Sequence, residues 1–342
     1  MKNHNRILFI IFVSVLLFSF CIRQKTLDQQ LVEFFDNQEV TILVTDSGLG
    51  GLSVAADVAG RLPKSGVFGK ARIVFFNSLF HNRSGYNSLD SEAEKVRIFD
   101  TALDAMGKKY DPDLLLIACN TLSVLYDKTR FARKAKFPVI GIVETGVDLI
   151  AQQFDKTPDA TAIIFATKTT IGSNSHKNRL VSRGYPGDQI LGQACHRLAG
   201  AIERGFNSEE TMKYIHEFVP QALEKRHDPH RTIFASLNCT HYGYSINQFK
   251  EVFKEAGYPD IEIIDPNPKM ADFLFESQYL NRYPETRVAI EVVSKTEVSE
   301  QERASLGTLL RITSPETYAA FQNYRLDPDL FDAKFDTTKI GK

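Results

Sequence analysis

Leu114-Leu115-Leu116-Ile117-Ala118-Cys119-Asn120-Thr121-Leu122-Ser123 decides how this chain is read. The aliphatic run after Asp113 has the pattern of a strand buried on both faces. A thiol, an amide and a hydroxyl follow in successive residues: Cys119, Asn120 and Thr121. In an open α/β sheet, ligands collect at the carboxyl ends of the strands, which is where this triplet falls. The pattern returns far downstream, as Ile233-Phe234-Ala235-Ser236-Leu237 followed by Asn238, Cys239, Thr240 and His241. Two strands ending in a cysteine beside a hydroxyl predict two halves facing one site.

Outward from these strands the same grammar repeats. Strands are expected at Val40–Thr45, Ala71–Phe76 and Val139–Val143, the last ending at Glu144-Thr145-Gly146. Ser91-Glu92-Ala93-Glu94 reads as a capping box, with Val96, Phe99, Leu103 and Met106 along one helical face. A second run has strands at Thr161–Ala166, Ile261–Ile264 and Val288–Val293. Helices are expected over Ala194–Arg204, Met212–Leu223, Met270–Leu280 and Pro315–Tyr324. Strands alternating with helices predict the α/β class, with parallel sheets covered on both faces.

The 342 residues suffice for one large domain or two medium ones. Basic and acidic residues number 41 and 42, so no polyanionic partner is indicated, and no aromatic-basic stripe suggests nucleic acid. Four cysteines at wide, unequal spacings fit neither a zinc ribbon nor a disulfide-dense scaffold. At the N-terminus, Lys2, His4 and Arg6 precede an apolar run from Ile7 to Phe20, the form of a signal peptide. Cys21 follows, which invites a lipoprotein with lipid on that thiol, although Phe20 stands where a small residue is usual. The alternative is an uncleaved N-terminal anchor. Either reading expects an exported protein of the cell envelope, in the periplasm or anchored to the membrane.

Asp46-Ser47-Gly48-Leu49-Gly50-Gly51 joins a strand to a helix as a phosphate-cradling turn does. The second strand ends at Asn77-Ser78, with no carboxylate for a ribose, and Asp46 would repel a phosphate. A plain turn and an active-site Asp-Ser pair are the other readings. Cys195 lacks the polar neighbours of the other two thiols and reads as structural. His227 and His230 in a proline-containing loop offer no third ligand, so no metal is expected.

The segments DSGLGGLSV, ACNTLS, TKTTIGSN and NCTHYGY, in this order, resemble glutamate racemase and the cofactor-independent aspartate/glutamate racemase superfamily. The resemblance runs from about Val40 to Tyr324 and includes the closing ITSPETYAAF. It implies two pseudo-symmetric α/β domains with the active site in the cleft between them. We place a signal peptide at 1–21, a tether at 22–39, a first domain at 40–140 plus 245–330, and a second at 141–244. By position, Cys119 and Cys239 are the expected acid/base thiols. Asp46 and His241 would assist them in turn, and Glu203 matches a further assisting carboxylate. Ser47, Ser84, Gly85, Asn120, Thr121, Thr170 and Thr240 fall where the family holds its amino acid. The resemblance implies no cofactor and an amino-acid substrate, and leaves room for a homodimer.

That chemistry suits the residues. Inverting an α-carbon means removing a proton from one face and returning one to the other, which two thiols can do. Without an electron sink, hydrogen bonds from Asn120, Thr121 and backbone amides would stabilise the developing carbanion. The chain departs from the cytoplasmic enzymes at Asn77-Ser78-Leu79, Ser84-Gly85, Asn238 and Gly243. A D-glutamate supply for peptidoglycan precursors belongs in the cytoplasm, whereas this N-terminus signals export. Two alternatives therefore stand: a relative racemising another α-carboxylate, and an envelope protein that only binds an amino acid.

Overall fold

A computed structural model describes residues 25–82 and 84–334. The apolar N-terminal run and Cys21 lie outside these residues. In chain order the strands are β1 (Glu39–Asp46), β2 (Lys70–Asn77), β3 (Leu114–Ile117), β4 (Val139–Gly141), β5 (Thr161–Ala166), β6 (Ile190–Ala194), β7 (Ile233–Asn238), β8 (Glu262–Ile264), β9 (Arg287–Ser294) and β10 (Arg325–Leu326). They form two sheets, ordered β10-β9-β2-β1-β3-β4 and β6-β5-β7-β8. All pairings are parallel. The α/β architecture with two parallel sheets is the one expected.

The helices are α1 (Leu27–Asp36), α2 (Leu52–Ser65), α3 (Glu92–Tyr110), α4 (Asn120–Tyr126), α5 (Ile142–Lys156), α6 (Lys168–Gly172), α7 (Ser175–Ser182), α8 (Leu198–Arg204), α9 (Glu209–Glu224), α10 (Ile246–Glu255), α11 (Glu300–Thr313) and α12 (Pro315–Gln322). One core runs continuously from Ile42 and Val44 of β1 through Leu198 and Ile202 of α8 to Leu306 and Leu310 of α11. It joins the two halves. Smaller cores lie under α3 on the first sheet and under α5 on the second.

Several boundaries differ from expectation. The fourth strand ends at Gly141, and Ile142-Val143 open α5. Ile142, Val143, Val147 and Ile150 are all buried, a helical period that a short apolar run conceals. Met270–Leu280 makes only one short 3₁₀ turn, at Asp272–Phe275, preceded by another at Asn267–Lys269. Ser91 caps α3 by accepting from Glu94 N, without the return bond of a full box. β8 pairs with β7 in the second sheet, so the stretch 245–330 does not return to the first sheet as a whole.

The expected tether is in fact docked. Thr26 and Gln29 form a capping box that starts α1, and Phe34 and Phe35 are buried. The Phe35 ring stacks on Tyr279 with centroids 3.6 Å apart. A short helix is marginal alone, and this one is held by its aromatic face.

Candidate active site

β1 ends at Asp46, and the glycine turn after it presses on the second half. A Cβ at Gly48 would lie 2.6 Å from Glu203 Oε1. One at Gly50 would lie 2.6 Å from both Thr240 Oγ1 and His241 Nδ1. Glycine therefore serves close backbone approach between the halves. Across the same contact, Thr240 Oγ1 donates to Asp46 Oδ2 at 2.5 Å.

β3 delivers Cys119 to the start of α4, with Sγ 3.1 Å from Ser47 Oγ. The thiol's hydrogen-bond partner is thus Ser47, whose own hydroxyl reaches Asp46 Oδ1 at 3.4 Å. Burial, reinforced by the Asp46 charge, pushes the Cys119 thiol well above its usual range. Hydrogen bonds from Ser47 and from the Leu122 backbone only partly offset this.

β7 delivers Cys239, whose Sγ lies 3.7 Å from His241 Nδ1. His241 Nε2 stands 2.7 Å from Glu203 Oε1, which also accepts from Leu49 N at 2.7 Å. Burial disfavours the imidazolium, but the Glu203 charge and the bonds to Cys239 and Glu203 outweigh it. His241 is held well above its usual pKa. Glu203 is lowered: burial opposes ionisation, and the His241 charge together with the bonds from His241 and Leu49 overcomes it.

Both thiols open onto one cavity of about 540 Å³, with Asp46, Ser47, Glu203 and His241 in its wall. Ser84, Gly85, Asn120, Thr121 and Thr240 also line it. Thr170 does not. It stands behind Thr167, whose Oγ1 lies 3.0 Å from Thr170 Oγ1 and 2.8 Å from Thr121 Oγ1. The hydroxyl facing the cavity from the TKTTIGSN segment is therefore Thr167, the cap of α6.

The departures sort by place. Ser78 is fully buried with its Oγ 2.8 Å from Thr45 Oγ1, away from the cavity wall. Asn238 turns to His176, donating from Nδ2 to Nε2 at 2.9 Å. Burial, with the nearby Arg179 charge, depresses that imidazole to about 4, leaving it a neutral acceptor. Gly146 makes room, since a Cβ there would lie 2.4 Å from Asn238 Nδ2. Gly243 likewise clears Asp265. Leu79, Ser84 and Gly85 are the departures that line the cavity, with Ser84 Oγ 3.1 Å from His81 Nδ1.

Sequence reasoning missed other lining residues. Cys195, taken as structural, borders the cavity, although burial raises its thiol and its Sγ donates to Gln193 O. Tyr86 and Asn87 line it from the first half. Asn87 Oδ1 accepts from Thr169 N at 3.2 Å, tying the loop before α3 to the second half. The Tyr86 hydroxyl and both amide atoms of Asn120 are buried without a protein partner. Periodicity carries no signal for such loop residues.

Known proteins share this architecture. The chain is 27% identical over 247 residues to the glutamate racemase of Chlorobaculum tepidum, covering 71% of this chain and 82% of that protein. A glutamate racemase isoform from Bacillus anthracis superposes with a TM-score of 0.62 at 21% identity, covering 85% of this chain and 97% of that one. The Francisella tularensis glutamate racemase, solved in complex with D-glutamate, gives 0.60 at 23% identity, covering 80% and 94%. Residues 73–266, more than half of the chain, match the Asp/Glu/hydantoin racemase family, and the chain belongs to that family.

Proposed function

We propose that this protein is a cofactor-independent amino-acid racemase that moves the α-proton with Cys119 and Cys239. The observation that carries the reading is the placement of two buried thiols, one from each sheet, in the wall of one cavity. Their surroundings differ in a way that suits an acid and a base. Cys119 sits beside Asp46 and Ser47, where burial keeps it protonated. Cys239 faces an imidazole that Glu203 keeps charged, a cation placed against the sulfur as it gives or takes a proton. In one direction, the Cys239 thiolate removes the α-proton while Cys119 delivers its own to the opposite face. The reverse direction exchanges the roles: the Cys119 thiolate left by the first transfer, made more basic by the Asp46 charge, takes the proton back while Cys239 delivers one.

The developing carbanion spreads onto the substrate carboxylate, which needs fixed donors. The Asn120 amide nitrogen and the Tyr86 hydroxyl lack protein partners, and a carboxylate reaching them would accept from both. The glutamate racemases among the relatives, one of them holding D-glutamate, support an acidic amino acid as substrate. A second reading, racemisation of another α-carboxylate, is favoured by Ser84 in the cavity wall. Lys2, His4, Arg6 and the run Ile7–Phe20 support export, with lipid on Cys21.

Incubating purified protein with a panel of L-amino acids in D₂O tests the reading by loss of the α-proton NMR signal. Exchange of an acidic amino acid is expected. Cys119→Ala and Cys239→Ala should each abolish racemisation, whereas Cys195→Ala should retain it. Racemisation at near wild-type rate by either of the first two variants would rule out the two-thiol assignment.

A further inference from the structure

The cavity has a buried floor, where the charges of Asp46, Glu203 and His241 are held by protein partners, and an exposed rim that carries two further cations. At the floor Cys119, Cys239, Asn120, Thr121 and Thr240 are each at most 6% exposed. At the rim Lys168 and Arg197 are exposed and line the same cavity. Lys168 opens α6 after β5, and Arg197 precedes α8 after β6. These two strands are paired neighbours, so both cations follow the carboxyl ends of adjacent strands.

Charge pairing leaves them available. The cavity's carboxylates are Asp46, Glu203, Glu210 and Glu302. Each is held by protein donors: Thr240, His241 with Leu49, Arg204, and the Ser299 amide. Arg204 is thereby spent on Glu210. Neither Lys168 nor Arg197 has a hydrogen-bonded or ion-paired anion among the described residues. Lys95 adds to the local positive potential and is close enough to Lys168 to feel its repulsion.

Backbone geometry marks Arg197 independently. Its φ is +65° and ψ −10°, in the left-handed region. Among the described residues the other non-glycine positions with positive φ are Asp111, Asn174 and Asn281, the residue types that tolerate it. An arginine there is strained, and strain of this kind persists where the surroundings impose it, commonly at ligand sites. The cavity volume of about 540 Å³ also falls where drug-sized ligands bind, above what one small amino acid fills.

From these observations we infer that the cleft takes an α-amino acid whose second anionic group lies beyond the reach of a glutamate side chain. Lys168 and Arg197 together bind that group at the rim. The α-carbon sits on the floor between the thiols, the side chain spans the cavity, and the distal anion meets the two cations. The inference rests on the racemase reading and specifies its substrate class: a long-chain diacid, or an acidic amino acid extended through its side-chain carboxyl.

The test uses the full-length protein and a series of free amino acids: aspartate, glutamate, 2-aminoadipate and 2-aminopimelate. α-Proton exchange and racemisation are followed for the parent, R197G, K168A, the double variant and R197K. Relative to glutamate, kcat/KM should rise with the longer diacids. R197G and K168A should each raise KM for the preferred diacid about fivefold, and together tenfold or more, with kcat little changed. Because glycine accepts positive φ, R197G should melt no lower than the parent, which separates lost charge from lost fold. R197K should recover most of the affinity, and added salt should raise KM in the parent more than in the double variant. A preference that stays with aspartate or glutamate, or an R197G variant with unaltered KM, would overturn the inference. If the parent exchanges no amino acid, the racemase reading fails first. Calorimetric binding of 2-aminoadipate to the parent and the double variant then decides the rim assignment, with equal affinities refuting it.

Discussion

His241 bridges Glu203 and Cys239, with Nε2 2.7 Å from the Glu203 carboxylate and Nδ1 3.7 Å from the Cys239 sulfur. The ring is 6% exposed at its side chain and the carboxylate 14%, so solvent screens the pair little. The charge on the imidazole beside Cys239 is therefore set by Glu203, a residue of α8.

Glu203→Gln should remove the attraction that keeps His241 charged. Burial then acts unopposed, and the His241 pKa should fall toward or below its ordinary value. NMR titration of the ring measures this directly. Activity should drop about 10- to 100-fold, the usual worth of an assisting acid or base. The sign of the stability effect follows from both shifts. His241, with a raised folded pKa, contributes stability below its unfolded pKa that is lost as pH rises through the folded value. Glu203, with a lowered one, contributes stability above its unfolded pKa that is lost as pH falls through the folded value. The parent's advantage over Glu203→Gln should thus be greatest between the unfolded glutamate and histidine values, in mildly acidic solution, and should shrink as pH rises further through the folded His241 pKa. An unmoved ring titration would show that Glu203 does not govern the imidazole.

Tyr86→Phe separates a substrate contact from a packing role. The hydroxyl is buried without a partner, so deleting it should leave stability unchanged or raise it by about 1 kcal/mol. If the hydroxyl donates to the bound substrate, kcat/KM should fall about tenfold or more despite the sturdier fold. Parent-like kinetics with a raised Tm would make Tyr86 a core tyrosine only.

The sequence carried the strands that end in Cys119 and Cys239, because buried parallel strands are continuous apolar runs and their carboxyl ends are positions of chemistry. It also led to Asp46, Ser47, Glu203 and His241, all of which the fold brings to one cavity. Boundaries failed where two periods overlap, as at Ile142-Val143, which satisfy a strand run and a helix face alike. Thr170 was preferred to Thr167 because motif position does not say which hydroxyl of a capped turn points outward. Arg197, Lys168 and Tyr86 were illegible for another reason. Their meaning lies in an unpaired charge, a left-handed backbone or an unsatisfied hydroxyl, and each exists only in three dimensions.

Phe35→Ala tests whether α1 belongs to the folded body. Phe35 is 4% exposed, stacks on Tyr279 and contacts Phe34 and Phe68. Truncating it should cost about 3–5 kcal/mol in chemical denaturation. A free tether would lose almost nothing, so a change below about 0.5 kcal/mol would restore that reading.

Docking of α1 sharpens the prediction on attachment. The helix is capped by Thr26, so the chain from Cys21 to that cap reaches at most about 17 Å when fully extended. A lipid on Cys21 would hold the α/β body directly against the bilayer rather than on a long leash. We expect the wild-type protein to fractionate with membranes, to incorporate labelled palmitate and to lack residues 1–20 by mass spectrometry. Cys21→Ala should lose the label and leave the membrane fraction. Retention of that variant with an intact N-terminus would replace the lipid with an uncleaved apolar anchor, the run Ile7–Phe20 serving as the membrane segment. A soluble wild-type protein that keeps Met1 would defeat both forms of attachment and the export that they imply.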